Sequence, residues 1–210
     1  MAATLLEIHP DNPDKRKIEQ VAKALEEGAV VIYPTDTIYA MGCSIKHPKA
    51  VERLAAIKGL KVEKANFSIM CADLSHLADY TKPISQSHFR LLKRLLPGPY
   101  TFIFESNNKI PKTLNPKKKT IGIRVPDNKI CMALSAIVGQ PIITTSLKED
   151  SLVEYPTDPE AIFEAYKNLV DIVIDGGMGN IIASTVLDCS GDGIEVVREG
   201  AGSIEGLLAN

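Results

Sequence analysis

Apolar positions along the chain fall into short β-branched runs and into stretches with helical spacing, and the two patterns alternate almost from end to end. Leu5, Leu6 and Ile8 predict a first strand. Asn12-Pro13 then offers an N-cap followed by proline at the first helical position, and Ile18, Val21, Ala22 and Leu25 recur at helical spacing up to Gly28, which suits the left-handed residue that ends a helix. Val30-Val31-Ile32-Tyr33 reads as a buried strand stopped by Pro34, which has no amide proton to give to a ladder. Pro48 opens a second helix through Val51, Leu54, Ala55 and Ile57, with Lys58 in its last turn and Gly59 beyond it. Residues 67–70 predict a strand, and residues 73–80 and 85–96 predict helices, the second stopped by Pro97-Gly98-Pro99. Strands are expected at 100–104, 120–125, 142–145 and 172–175, with helices at 128–138 and 159–170 between them. After Gly176-Gly177, residues 184–188 and 194–198 read as two strands around a Gly191/Gly193 turn. The pattern predicts an α/β fold, a twisted mixed sheet with helices packed on it and a locally antiparallel end.

Composition narrows this to one domain spanning residues 1–210, because no linker or repeat divides the 210-residue chain. With 45% hydrophobic and 24% charged residues it is an ordinary globular composition. No apolar run approaches the roughly 20 residues that span a bilayer, and the N-terminus lacks a basic region followed by an apolar one. A cytoplasmic chain without membrane contact is expected. Cys43, Cys71, Cys131 and Cys189 are scattered, which favours reduced core thiols over disulfides or zinc, and no structural metal is expected. His9, His47, His76 and His88 sit in unrelated segments and read as surface residues.

Candidate chemistry begins just past the 30–33 strand. Thr35-Asp36-Thr37 places two hydroxyls and a carboxylate at the carboxyl end of a strand, where open α/β sheets bind ligands; the alternative is a turn whose side chains bond only their own backbone. Lys58, Arg124 and Arg198 are cations on or beside apolar elements, where an unpaired buried charge is costly, so they either share an anion or form separate ion pairs. The net charge of −2 means that any nucleic-acid face must come from local clusters. Two such clusters are Lys58, Lys61 and Lys64, and Lys117-Lys118-Lys119 near Arg124, each of which also reads as a solvated charged loop.

Pro34-Thr35-Asp36-Thr37-Ile38-Tyr39-Ala40-Met41-Gly42 resembles the Pro-Thr-Asp/Glu-Thr-x-Tyr-Gly-Leu-Gly signature of the YrdC/YciO family, which contains the threonylcarbamoyl-AMP synthases. Ala40 and Met41 stand where those synthases have Gly and Leu. The resemblance runs from about Asn12 to Gly200 and includes Gly122-Ile123-Arg124-Val125-Pro126 and Arg198-Glu199-Gly200. It implies a YrdC-like fold and a site that joins threonine, bicarbonate and ATP into L-threonylcarbamoyl-AMP for tRNA modification. Thr35 and Ser184 would contact threonine and Arg124 would pair with its carboxylate. Lys58, Asn66, Thr120, Ser146 and Arg198 would line the nucleotide region, with Mg²⁺ carried in by ATP.

Departures from the pattern matter as well. Lys58-Gly59-Leu60 replaces the arginine of a Lys-x-Arg motif, Ser146-Leu147-Lys148 replaces the amide of Ser-x-Asn with a cation, and Cys71 falls where the synthases often have histidine. These changes resemble the YciO branch. Two readings stand: a synthase or close relative, with nucleotide binding ranked above full activity, and a non-catalytic protein that binds double-stranded RNA or tRNA through Lys61, Lys64, Lys117, Lys118, Lys119 and Lys148 around the same pocket. A metabolic α/β enzyme of another kind would need its own motif, and the sequence holds neither a GxGxxG nor a Walker loop. Oligomeric state is not legible from the surface pattern.

Overall fold

The computed structural model describes residues 3–75, 77–111, 114, 119–147 and 155–207. Its ten strands are β1 (Thr4–Glu7), β2 (Val30–Tyr33), β3 (Ala40–Ser44), β4 (Ser68–Met70), β5 (Tyr100–Glu105), β6 (Thr120–Arg124), β7 (Ile142–Ser146), β8 (Ile172–Asp175), β9 (Thr185–Asp188) and β10 (Glu195–Arg198). They form one mixed sheet in the order β1-β8-β2-β3-β7-β4-β6-β5-β9-β10. The helices are α1 (Lys15–Glu26), α2 (Pro48–Ile57), α3 (Gln86–Leu95), α4 (Lys129–Val138) and α5 (Pro159–Tyr166). The expected α/β class and the antiparallel β9–β10 end are both present.

Several boundaries differ from the sequence expectation for identifiable reasons. Asp14 rather than Asn12 caps α1, because its Oδ1 accepts the amides of Arg16 and Lys17 at 2.9 and 3.1 Å, while the Asn12 amide donates to His9 Nδ1. The helix expected over 73–80 is reduced to a 3₁₀ turn at Leu77–Asp79; Asp73 Oδ1 accepts the Ser75 amide at 2.7 Å in a local turn that competes with helix. α5 stops at Tyr166, four residues short of the expected end, in a turn closed by Leu169 N donating to Tyr166 O. β3 was not anticipated as a strand. Ala40-Met41-Gly42-Cys43-Ser44 carries no β-branched residue, yet it is buried throughout and pairs antiparallel with β2 on one side and β7 on the other.

Alternation along the strands divides the core in two. Val30, Ile32, Met41, Cys43, Ile69, Phe102, Ile123, Ile143 and Leu187 meet α2, α3 and α5 on one face. Val31, Tyr33, Ala40, Ile142, Ile172 and Ile174 meet the apolar sides of α1 and α4 on the other. All four cysteines are free and buried, as the scattered spacing suggested. Among the described residues, no helix is long and apolar enough to cross a membrane.

Candidate functional site

Because α1 and α4 pack against the β8, β2 and β3 end of the second face, the face of β7, β4, β6, β5, β9 and β10 beyond them is left to wall a cavity of about 890 Å³. The strand patterns make that wall polar. β6 sends Ile123 into the core and turns Thr120, Gly122 and Arg124 to the cavity, with Ile121 buried in the core cluster and also touching the cavity; β5 likewise buries Phe102 and Phe104 and presents Thr101 and Ile103. Ser68, Thr144, Ser146, Ser184, Asp188 and Arg198 complete the hydroxyl-rich and charged lining.

Arg124 stands where the helix-covered half of the face meets the open half. Its Nη2 donates to Asp36 Oδ1 at 2.9 Å and to Thr37 Oγ1 at 3.0 Å, and the two charged side chains are only 9% and 8% exposed. Its Nε is buried without a hydrogen-bond partner. Burial pushes the Asp36 carboxyl above the usual carboxylate range, against the pull of Arg124 and the Asp127 amide. The loop carrying Asp36 is braced from behind: Tyr39 Oη donates to Gly177 O, and Asn180 donates through its backbone to Thr37 O and through Nδ2 to Asp36 O.

Ser184 and Arg198 form the opposite wall. Ser184 Oγ lies 2.8 Å from Thr101 Oγ1, and Arg198 donates through Nε and Nη2 to Ser184 O at 3.2 and 2.9 Å. Gly200 permits this approach, since a Cβ there would fall 2.2 Å from Ala183 O. Lys58, the C-cap of α2, reaches Ser146 O at 3.1 Å and Ser146 Oγ at 3.3 Å, so it touches a lining residue from outside the wall.

Of the residues singled out in the sequence, Arg124, Ser184, Asn66, Thr120, Ser146, Arg198 and Lys119 line one cavity. Thr35 is not among the lining residues; its hydroxyl donates to Ile38 O at 2.7 Å and accepts the Thr37 amide at 3.0 Å, which is the backbone-turn alternative. Lys61 and Lys64 are exposed at the ends of a 3₁₀ turn (Val62–Lys64) that leads into Ala65 and Asn66 at the cavity wall. Leu60 packs partly buried against the core, so the position of the missing arginine is turned to apolar contacts. Lys117, Lys118 and Lys148 lie outside the described residues. Sequence reasoning missed Thr101, Ser68, Asn107 and Asn108 on the wall. Thr101 was legible as the polar alternate of a Thr-Phe-Ile-Phe strand, whereas the loop residues Asn107 and Asn108 carried no periodic signal.

The family model described as "Telomere recombination", of the Sua5, YciO and YrdC proteins, matches residues 23–200. The uncharacterized protein YciO of Escherichia coli is 41% identical over 202 residues, covering 96% of this chain and 97% of that protein. Its crystal structure superposes with a TM-score of 0.91 at 40% identity, over 98% of this chain and all of that one. The threonylcarbamoyl-AMP synthase of Bacillus subtilis is 32% identical over 189 residues, which is 88% of this chain but 53% of the synthase. A structure of Pyrococcus abyssi Sua5 complexed with L-threonine gives a TM-score of 0.86 at 26% identity, over 94% of this chain and 58% of that one. On the extent of the family match and the near full-length likeness to YciO, the chain belongs to the Sua5/YciO/YrdC family.

Proposed function

We propose that the cavity binds ATP and L-threonine and joins them with bicarbonate into L-threonylcarbamoyl-AMP. The observation that carries this reading is the convergence of Arg124, Ser146 and Arg198, from three separate strands, and of Ser184, just before β9, on one polar cavity of about 890 Å³, a size that accommodates a nucleotide with a small amino acid. The likeness to a synthase and to a Sua5 structure complexed with L-threonine supports the choice of ligands.

The chemistry asks for positioning and charge more than for a protein nucleophile. Threonine nitrogen adds to bicarbonate carbon with loss of water, giving a carbamate. A carbamate oxygen then attacks the α-phosphorus, and the bond to the β-phosphate bridging oxygen breaks to release pyrophosphate. Arg124, held by Asp36 and Thr37, faces the threonine carboxylate, and Ser184 with Thr101 holds the hydroxyl. Arg198 and the Lys58–Ser146 pair offset phosphate charge. Mg²⁺ enters as part of the nucleotide substrate. Incubating the purified protein with labelled threonine, bicarbonate and Mg·ATP tests the reading: pyrophosphate and a labelled adenylate are expected in equal amounts. Calorimetric binding of ATP without turnover would reduce the proposal to a nucleotide-binding protein, and no binding of either ligand would end it.

A second reading, RNA binding at the same mouth, is favoured by Lys61, Lys64 and Lys119, all exposed and all at or next to lining segments. Its test is a duplex-RNA titration at several salt concentrations.

A further inference from the structure

The large cavity changes character along its strands. Ser184 and Thr101 touch at the start of β9, with Arg198 donating to Ser184 O, so that end is polar and cationic. Further along β9 the wall turns apolar: Val186 is followed by Ile103 of β5 and by Val197, which stands in the bulge of β10.

Asp188 closes this apolar end. Among the described residues it is the single acidic residue on the cavity wall. The sheet register sets it beside Ile103 on β5 and opposite Glu195 on β10. A carboxylate in that place is unfavourable twice over, because a like charge stands opposite it and because it repels the phosphates that the cations of the cavity attract. A ligand group that donates to it would offset both costs.

Part of the carboxylate has a structural duty. Asp188 Oδ1 accepts the Ser190 amide at 2.8 Å and the Ser190 hydroxyl at 2.6 Å, which shapes the turn after β9. Both bonds fall on the same oxygen. Oδ2 meets no donor among the described residues and is not sealed in the interior, so the wall offers one spare, charged acceptor at its apolar end.

The chemistry of ATP and threonine limits what can use it. Asp188 lies four residues beyond Ser184, roughly 13 Å at the rise of a strand, which is too far for the ammonium of a threonine held at Ser184 and Arg124. Phosphates carry no N–H. A ribose hydroxyl belongs to a polar ring, whereas the aliphatic surfaces of Ile103, Val186 and Val197 suit the flat face of a base.

We propose that Asp188 selects the nucleobase: Oδ2 accepts the 6-amino group of adenine while the ring lies against Ile103, Val186 and Val197. A purine with a carbonyl at that position would turn an oxygen toward the carboxylate and be rejected. The inference rests on the reading of this cavity as an ATP site and adds the residue that sets its base specificity.

Calorimetry on the intact protein with Mg²⁺ tests it, using ATP and purine riboside triphosphate, which lacks only the amino group. Wild type should bind ATP about tenfold more tightly than the purine analogue. Asp188→Asn keeps an acceptor for Ser190 and puts a donor in place of Oδ2, so the two affinities should come within about twofold of each other. Threonine affinity should be the same in both proteins. Equal affinities in wild type would overturn the inference, and that comparison needs no variant to fold. A preference for ATP that survives in Asp188→Asn, with both nucleotides weakened by one factor, would overturn it too, leaving Asp188 a support of the turn. In either case the ATP reading stands, whereas a wild-type protein that binds neither nucleotide would remove both.

Discussion

On the proposed reading Arg124 carries two duties, as the partner of Asp36 and as the cation for the threonine carboxylate. Its ion pair with Asp36 is almost fully buried, so removing the guanidinium leaves a carboxylate without its charge partner as well as a ligand without its cation. Arg124→Ala is therefore expected to cost about 3 kcal/mol in stability, as for one partner of a buried pair, and about 2–5 kcal/mol in threonine affinity. Thermal unfolding and calorimetry separate the two. In the double variant Arg124→Ala with Asp36→Asn, stability should recover in part while threonine affinity stays low; recovery of both would make Arg124 structural only.

Asp36 also sets a pH dependence. Its folded-state pKa is raised by burial, so the folded protein holds this proton more tightly than the unfolded chain. The contribution is complete below the ordinary carboxylate range and is lost as pH rises through the raised value. The melting temperature of wild type relative to Asp36→Asn should accordingly decline as pH rises above about 4. A difference that grows with pH would mean that the Arg124 pair outweighs desolvation.

At the scale of elements, glycines mark where strands approach more closely than a side chain allows. A Cβ at Gly42 would lie 2.3 Å from Ile143 O, backbone to backbone across β3 and β7, whereas one at Gly122 would meet Ser68 Oγ, a side chain able to rotate into the cavity. Gly42→Ala should lower stability by about 2–3 kcal/mol, measured by denaturant unfolding. Gly122→Ala should cost about 1 kcal/mol or less, yet displace Ser68 into the ligand space and weaken ATP or threonine binding. Equal losses of stability in the two would contradict this distinction.

The same contrast explains what the sequence could reveal. β2 was legible as a β-branched run stopped by proline, and β6 and α2 because their apolar residues repeat at a fixed period and their ends carry proline or glycine. β3 was not: like β2 it is buried on both faces and has no alternation, but it lacks β-branched residues, and the small residues that admit its neighbours depress its β-propensity. In the site, Arg124 and Arg198 stood out as cations within apolar strands, while the role of Asp36 depended on a loop folding back across 88 positions. His88 was misplaced because burial of an isolated polar residue on an amphipathic helix has no local signature.

The whole molecule is slightly acidic, with a net charge of −2, so attraction for a phosphate backbone must come from the distribution of charge. Lys61 and Lys64 stand exposed on the approach to Asn66, and Lys119 is exposed at the wall itself, so a backbone following the cavity rim would meet all three. Such contact reads phosphate and shape with little sequence preference, and each neutralised phosphate adds roughly 0.7–0.9 to the slope of log affinity against log salt. Replacing Lys61, Lys64 and Lys119 together by glutamine should weaken duplex-RNA binding and flatten that slope by about two units. Stability should hardly change, because all three side chains are exposed. Fluorescence anisotropy over a salt series measures both quantities. An unchanged slope in the triple variant would show the lysines to be solvated surface charge, and a wild-type protein with no salt-dependent RNA binding would leave the small-molecule reading of the cavity alone.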